Sequence, residues 1–140
     1  VTVTLLSQGA AEWLGTGWDL SMNATVRLFG TDMYSGLTAS GMAALDETDF
    51  VEPVFPGYAA LPVTSGGWTY SGDGPTTATY SELQFDCTGV PAAGIATVHG
   101  YVLERDPDSL AIWFEVFTNG PFILSKSGES VKFQPQIAMD

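Results

Sequence analysis

Apolar and polar positions alternate with a period of two through most of the chain, in short runs separated by clusters of Gly, Pro, Asn, Asp and Ser. This is the pattern of antiparallel β-strands joined by turns. The run from Ile95 to Leu103 sets Ile95, Thr97, His99, Tyr101 and Leu103 on one face and Ala96, Val98, Gly100 and Val102 on the other. One strand is expected there, at least partly covered on both sides. Glu104 to Ser109 then supplies turn chemistry, because Pro fixes φ and Asp and Ser side chains bond nearby backbone, so a hairpin connection is expected. Leu110 to Phe117 reads as an aromatic-rich strand with Trp113 in the core. Thr118 to Pro121 breaks it, Phe122 to Leu124 resumes, and Ser127 to Glu129 turns the chain again. The last run places Val131, Phe133 and Ile137 on one side and Lys132, Gln134 and Gln136 on the other, a half-exposed strand. Pro135 has no amide to donate, which puts this strand near a sheet edge or against a bulge.

Thr25 to Phe29, Leu61 to Val63, Trp68 to Tyr70 and Thr77 to Phe85 are further strands by the same reading, the middle pair linked through Thr64 to Gly67. Helix is scarce: Gly41 to Leu45 and Asp46 to Phe50 are the best segments, where acidic residues favour a first turn. The expected fold is all-β: a single antiparallel β-sandwich or jelly-roll-like barrel with at most one short helix. Residues 22–140 carry this β pattern. Residues 1–21 differ, with a Thr/Val run followed by Gly-rich sequence holding Trp13 and Trp18. They read either as an N-terminal extension lent to a neighbouring subunit or, through Thr2 to Leu6, as the first strand of the same domain.

A chain of 140 residues has the size of one domain and buries a core without staples. Sixteen acidic residues against four basic ones give a net charge of −12, which repels nucleic acid and disfavours anionic membranes. It also fits a basic partner surface. No apolar run is long enough to cross a bilayer. The opening Val-Thr-Val-Thr-Leu-Leu lacks the basic-then-apolar layout of a secretory signal, so no intact signal peptide is expected in it.

The chemistry of catalysis is sparsely represented. His99 is the single histidine and Cys87 the single cysteine, which leaves no thiolate cluster for zinc and one imidazole for any triad. Asp86 beside Cys87 opposes thiolate formation. The glycines sit at turns, not between a strand and a helix as a phosphate-binding loop requires. No catalytic residue, metal site or cofactor is expected. Asp46, Glu47, Asp49 and Glu52, and Asp106 with Asp108, offer hard oxygen ligands without matching an EF-hand, and solvated faces or helix-start acids are the plainer reading. Trp13, Trp18, Trp68 and Trp113 could include a sugar-stacking platform, the basis of an alternative function as a carbohydrate- or receptor-binding module. A carboxylate pair about 5–10 Å apart would define a third class, a hydrolase.

Two stretches carry a resemblance: Asp49 through Leu61, containing Phe55-Pro56-Gly57-Tyr58 and followed by Gly67-Trp68-Thr69, and the end from Gly100-Tyr101-Val102-Leu103 through Ala111-Ile112-Trp113-Phe114-Glu115. Over about Met22 to Met139 the chain resembles small β-rich virion proteins of tailed bacteriophages and environmental viruses. The resemblance implies a capsid decoration, cement or minor head component at the virion surface and carries no catalytic residues. Its partners would be the major capsid protein or other virion subunits, and a homotrimer would suit local threefold axes. The residues expected at the partner interface are Trp13, Trp18, Asp46, Glu47, Asp49, Glu52, Lys132, Gln134 and Gln136.

Overall fold

The computed structural model describes residues 3–6, 23–71, 76–106 and 108–139. Its strands are β1 (Val3–Leu5), β2 (Ala24–Phe29), β3 (Leu61–Val63), β4 (Trp68–Ser71), β5 (Thr76–Tyr80), β6 (Leu83–Asp86), β7 (Ala96–Val98), β8 (Gly100–Arg105), β9 (Leu110–Val116), β10 (Phe122–Leu124), β11 (Ser130–Phe133) and β12 (Gln136–Met139). An antiparallel sheet in the order β1-β9-β8-β2-β3 forms one layer, and the ladders β12-β5-β4, β11-β6 and β10-β7 supply the other strands. The fold is all-β and sandwich-like. Its one α-helix among the described residues, α1 (Ala39–Ala43), starts from an N-cap in which Thr38 accepts from the Gly41 amide.

The main sheet is apolar on both faces, and that decides the architecture. From β2, β8 and β9, the residues Ala24, Val26, Leu28, Tyr101, Leu103, Ile112 and Trp113 turn to one side. There they pack with Trp68, Ala78, Tyr80, Leu83, Phe85, Val98, Leu124 and Val131 from the smaller ladders, forming the main core. Phe29, Val102, Ala111 and Phe114 turn to the other side, where Leu6 and Phe50 join them in a second core. With both faces covered, β8 and β9 are buried almost end to end rather than alternately.

Two irregularities set which side chain enters which core. Leu103 pairs with Trp113 but Glu104 with Ala111, so Ile112 is an extra residue on β9. This bulge lets Ile112 and Trp113 both enter the main core. The second irregularity corrects the sequence reading: Ile95 to Leu103 is not one strand. Ala96 and Val98 face the main core, and so do Tyr101 and Leu103, so the alternation loses step between Val98 and Tyr101. β7 pairs with β10 and β8 with β2 and β9, and the chain changes partners at His99. The His99 backbone anchors the corner, its N–H donating to Phe29 O and its carbonyl accepting from Phe117 N, both at 2.9 Å. A strand that leaves one sheet for another bends in this way. Gly100 permits the bend: a Cβ there would fall against the Glu115 carbonyl oxygen and 2.6 Å from Phe29 Cζ.

Thr77 to Phe85 is likewise two strands, β5 and β6, separated at Ser81 and Glu82, and the last run divides into β11 and β12 around Gln134 and Pro135. Pro135 lacks a donor, but its carbonyl accepts from Tyr80 N at 2.8 Å, so pairing carries across the break. Each of β11 and β12 lies at the edge of its ladder. β3 and β4, consecutive in sequence, belong to different sheets and are joined by a 3-10 turn over Ser65–Gly67. Phe55 to Tyr58 is a turn closed by Tyr58 N on Phe55 O at 3.2 Å, with Pro56 second and Gly57 at φ +88 third, as a type II turn requires.

β1 pairs with β9, and Leu6 is fully buried, so residues 3–5 are an edge strand of the main sheet. The remainder of the expected extension, including Trp13 and Trp18, lies outside the described residues. Gly100→Ala is expected to destabilise the protein by roughly 1–3 kcal/mol, as overpacking does. A lowered urea midpoint at unchanged slope checks this.

Candidate functional site

The acidic segment is organised from within the fold. Arg27 projects from β2 on the second-core side and forms a mostly buried ion pair with Glu104 of the neighbouring strand β8. The same guanidinium donates to Phe50 O at 3.0 Å and Glu47 O at 3.2 Å. Burial pulls the Arg27 pKa down, but the hydrogen bond and charge of Glu104 outweigh it and hold the group above its ordinary value. Arg27 therefore clamps the 47–50 backbone onto the sheet, placing Phe50 over Phe29 and Phe114 with ring centroids 5.4 and 5.2 Å away.

Three carboxylates of this segment, those of Asp46, Asp49 and Glu52, accept hydrogen bonds from their own chain. Asp46 caps a 3-10 turn over Glu47–Asp49, accepting from Thr48 N at 2.9 Å, while Asp49 accepts from Asp46 N at 2.8 Å. The Thr48 hydrogen bonds hold the Asp46 carboxyl below its usual range. Glu52 accepts from Tyr58 Oη at 2.9 Å, and burial together with this bond pushes the Tyr58 phenol up. Glu47 lies over the sheet through its carbonyl bond to Arg27. At the hairpin, Asp106 accepts from Thr25 Oγ1 at 2.8 Å and Asp108 from Arg105 Nε at 3.0 Å. Among the described residues no group of three or more His, Cys, Asp or Glu is placed to hold a metal ion.

Further polar side chains lie within or beside the two cores. Tyr101 donates to Glu115 Oε2 at 2.9 Å across the β8-β9 ladder, with Tyr101 fully buried and Glu115 nearly so. Burial raises the Glu115 carboxyl above its ordinary value and, reinforced by the Glu115 charge, raises the Tyr101 phenol. His99 is half-buried, with Nδ1 3.1 Å from Tyr34 Oη and the two rings edge to face. Cys87 is buried in the main core, its Sγ donating to Gly89 O at 3.0 Å.

Lys132, Gln134 and Gln136 are exposed along the outward side of β11 and β12. Lys132 stands opposite Gln84 of β6, and Gln136 opposite Thr79 of β5. They share a polar face, but the clamped segment from Asp46 to Glu52 lies across the main sheet from them. The structure does not bring these two sets of residues together. Trp68 is 7% exposed and packs edge to face on Tyr80 and Trp113, which leaves it no open ring face for a sugar.

The sequence reading missed an apolar surface. β10 pairs with β7 so that Ile123 lies opposite Thr97 and Leu124 opposite Ala96. Ala96, Val98 and Leu124 turn into the main core, so Thr97 and Ile123 turn outward, with Ile95 on the same side two residues before Thr97. Ile95 is 52% and Ile123 50% exposed, and their diagonal placement is within reach of a side-chain contact. Beside the ribbon, Pro53 and Thr97 O both lie close to Gly30, and the neighbouring Val54 is 79% exposed. The available signal was the length of β10: in a three-residue apolar strand, the middle side chain must leave the core that the outer two enter.

Comparison with protein-family models, curated proteins and solved structures returned no match.

Arg27→Ala leaves the nearly buried Glu104 without its cation and is expected to cost about 3–5 kcal/mol, partly recovered in the double variant with Glu104→Ala. A double-mutant cycle in urea checks this. Because the folded-state pKa of Glu115 is raised, its contribution to stability is present below the unfolded value and lost as pH rises through the folded one. Glu115→Gln, which cannot ionise, is therefore expected to gain stability relative to the parent between pH 4 and pH 8. Thermal melts across that range provide the readout.

Proposed function

We propose that the protein is a structural virion component, a capsid decoration or cement protein that repeats over the outer capsid lattice and stabilises junctions between major capsid subunits. The observation that carries this reading is the outward face of the β7-β10 ribbon. There Ile95 and Ile123 stand half-exposed at diagonal positions of the ribbon. Apolar side chains at the centre of a contact with polar groups around them are how protein interfaces gain free energy while remaining soluble alone. A stable contact needs on the order of 1,000 Å² in total, so the ribbon serves as its centre and neighbouring polar residues as its rim.

Charge favours a basic protein partner. Arg27 and Arg105, two of the four basic residues, are held in ion pairs with Glu104 and Asp108. The net charge of −12 repels nucleic acid and anionic lipid and complements cationic protein surfaces. The resemblance of the Asp49 to Leu61 and Gly100 to Glu115 stretches to small phage virion proteins supports the same reading.

The expected outcome is co-purification with assembled particles at a copy number that matches the lattice. Protein that stays free, or that appears in a few copies per particle, overturns the proposal. Ile123→Glu is expected to lower particle occupancy by about tenfold or more at unchanged far-UV circular dichroism.

A further inference from the structure

Residues 31–45 cross the second core without burying any of their own residues. Each is partly buried or exposed, whereas Leu6, Phe29, Val102, Ala111 and Phe114 beneath them are buried to within 1%. Their contribution to that core is the partly buried side chains of Met33, Tyr34, Met42 and Leu45. Their hydrogen bonds are local: Asp32 with Ser35, Leu37 N on Tyr34 O, Thr38 with Ser40 and Gly41, and the turns of α1. Among the described residues, one hydrogen bond ties the segment to the rest of the protein, Tyr34 Oη to His99 Nδ1. A helix of five residues has no independent stability in water.

Both ends of the segment are firmly held. On the N-terminal side, Phe29 ends β2 fully buried and Gly30 N donates to Val51 O at 2.8 Å. On the C-terminal side, Arg27 holds the Glu47 and Phe50 carbonyls. A weakly attached stretch between fixed ends, lying over a dry aromatic cluster, has the makings of a separately opening unit.

We infer that residues 31–45 form a strap that opens as a unit, latched by the Tyr34–His99 contact, while the sheets stay folded. Opening uncovers the part of the second core that Met33, Tyr34, Met42 and Leu45 cover, while Phe50 stays clamped in place. The inference does not depend on the proposed role in virions.

Thiol labelling tests it, with the native Cys87 of the main core as internal reference. In the full chain carrying Val102→Cys, the introduced thiol is expected to react with a small aromatic disulfide at least about tenfold faster than Cys87, at a rate that low urea leaves unchanged. Adding Tyr34→Phe is expected to raise that rate several-fold and leave Cys87 unaffected. If the two thiols react equally and speed up together in urea, the strap opens only on global unfolding and the inference fails. If Tyr34→Phe changes nothing, the Tyr34–His99 contact is not the latch, and the inference as stated is overturned. Ala111→Cys, in the same cluster, carries the test should Val102→Cys not fold.

Discussion

A β-sheet that is apolar on both faces must be covered twice, and this requirement organises the chain. β8 and β9 bury their side chains almost without interruption, so the main sheet cannot present either face to water. The smaller ladders cover one face and build the larger core. The other face is covered by the long connection between β2 and β3, which contains one short helix and a 3-10 turn. Irregular backbone makes a poor cover by itself, because its polar groups need partners and it supplies few apolar contacts. Arg27 answers the first need, giving hydrogen bonds to two carbonyls of the covering segment while it pairs with Glu104, and so holds Phe50 on the second core.

The distribution of charge follows from the same arrangement. Asp46, Asp49, Glu52, Glu104, Asp106 and Asp108 each engage an amide, hydroxyl or guanidinium of their own chain, so the acidic clusters that look like ligand sets serve local structure. Positive charge is scarce, and half of it is held in ion pairs. Among the described residues, exposed large apolar side chains interrupt the surface at Ile95 and Ile123 on the ribbon and at Leu37, Val51, Val54 and Val90 in the loops.

Much of the fold was legible because period-two patterning records which side of a strand is dry. The all-β class, the burial of Trp113 and the alternation of Val131, Lys132 and Phe133 follow from it directly. Three features left weaker traces. The corner at His99 preserves an apparently regular run of alternating residues while the sheet partner changes, so periodicity alone shows no break there. The bulge at Ile112 lies in a run that is apolar throughout, where an extra residue disturbs no pattern. The Arg27–Glu104 pair joins residues 77 apart, and spacing carries no information about a contact made by strand register. Polarity and aromaticity mark the interface residues expected from sequence, whereas Ile123 sits among other apolar residues and reads as core.

Residue-level amide hydrogen exchange tests the central claim, that the main sheet is the wall shared by two cores on which the rest is assembled. The account predicts the slowest exchange, governed by global unfolding, at the amides of β2, β8 and β9, with faster exchange in the smaller ladders and in the β2-β3 connection. If the slowest amides belong instead to β4, β5 and β12 while those of β8 and β9 open first, the account is contradicted.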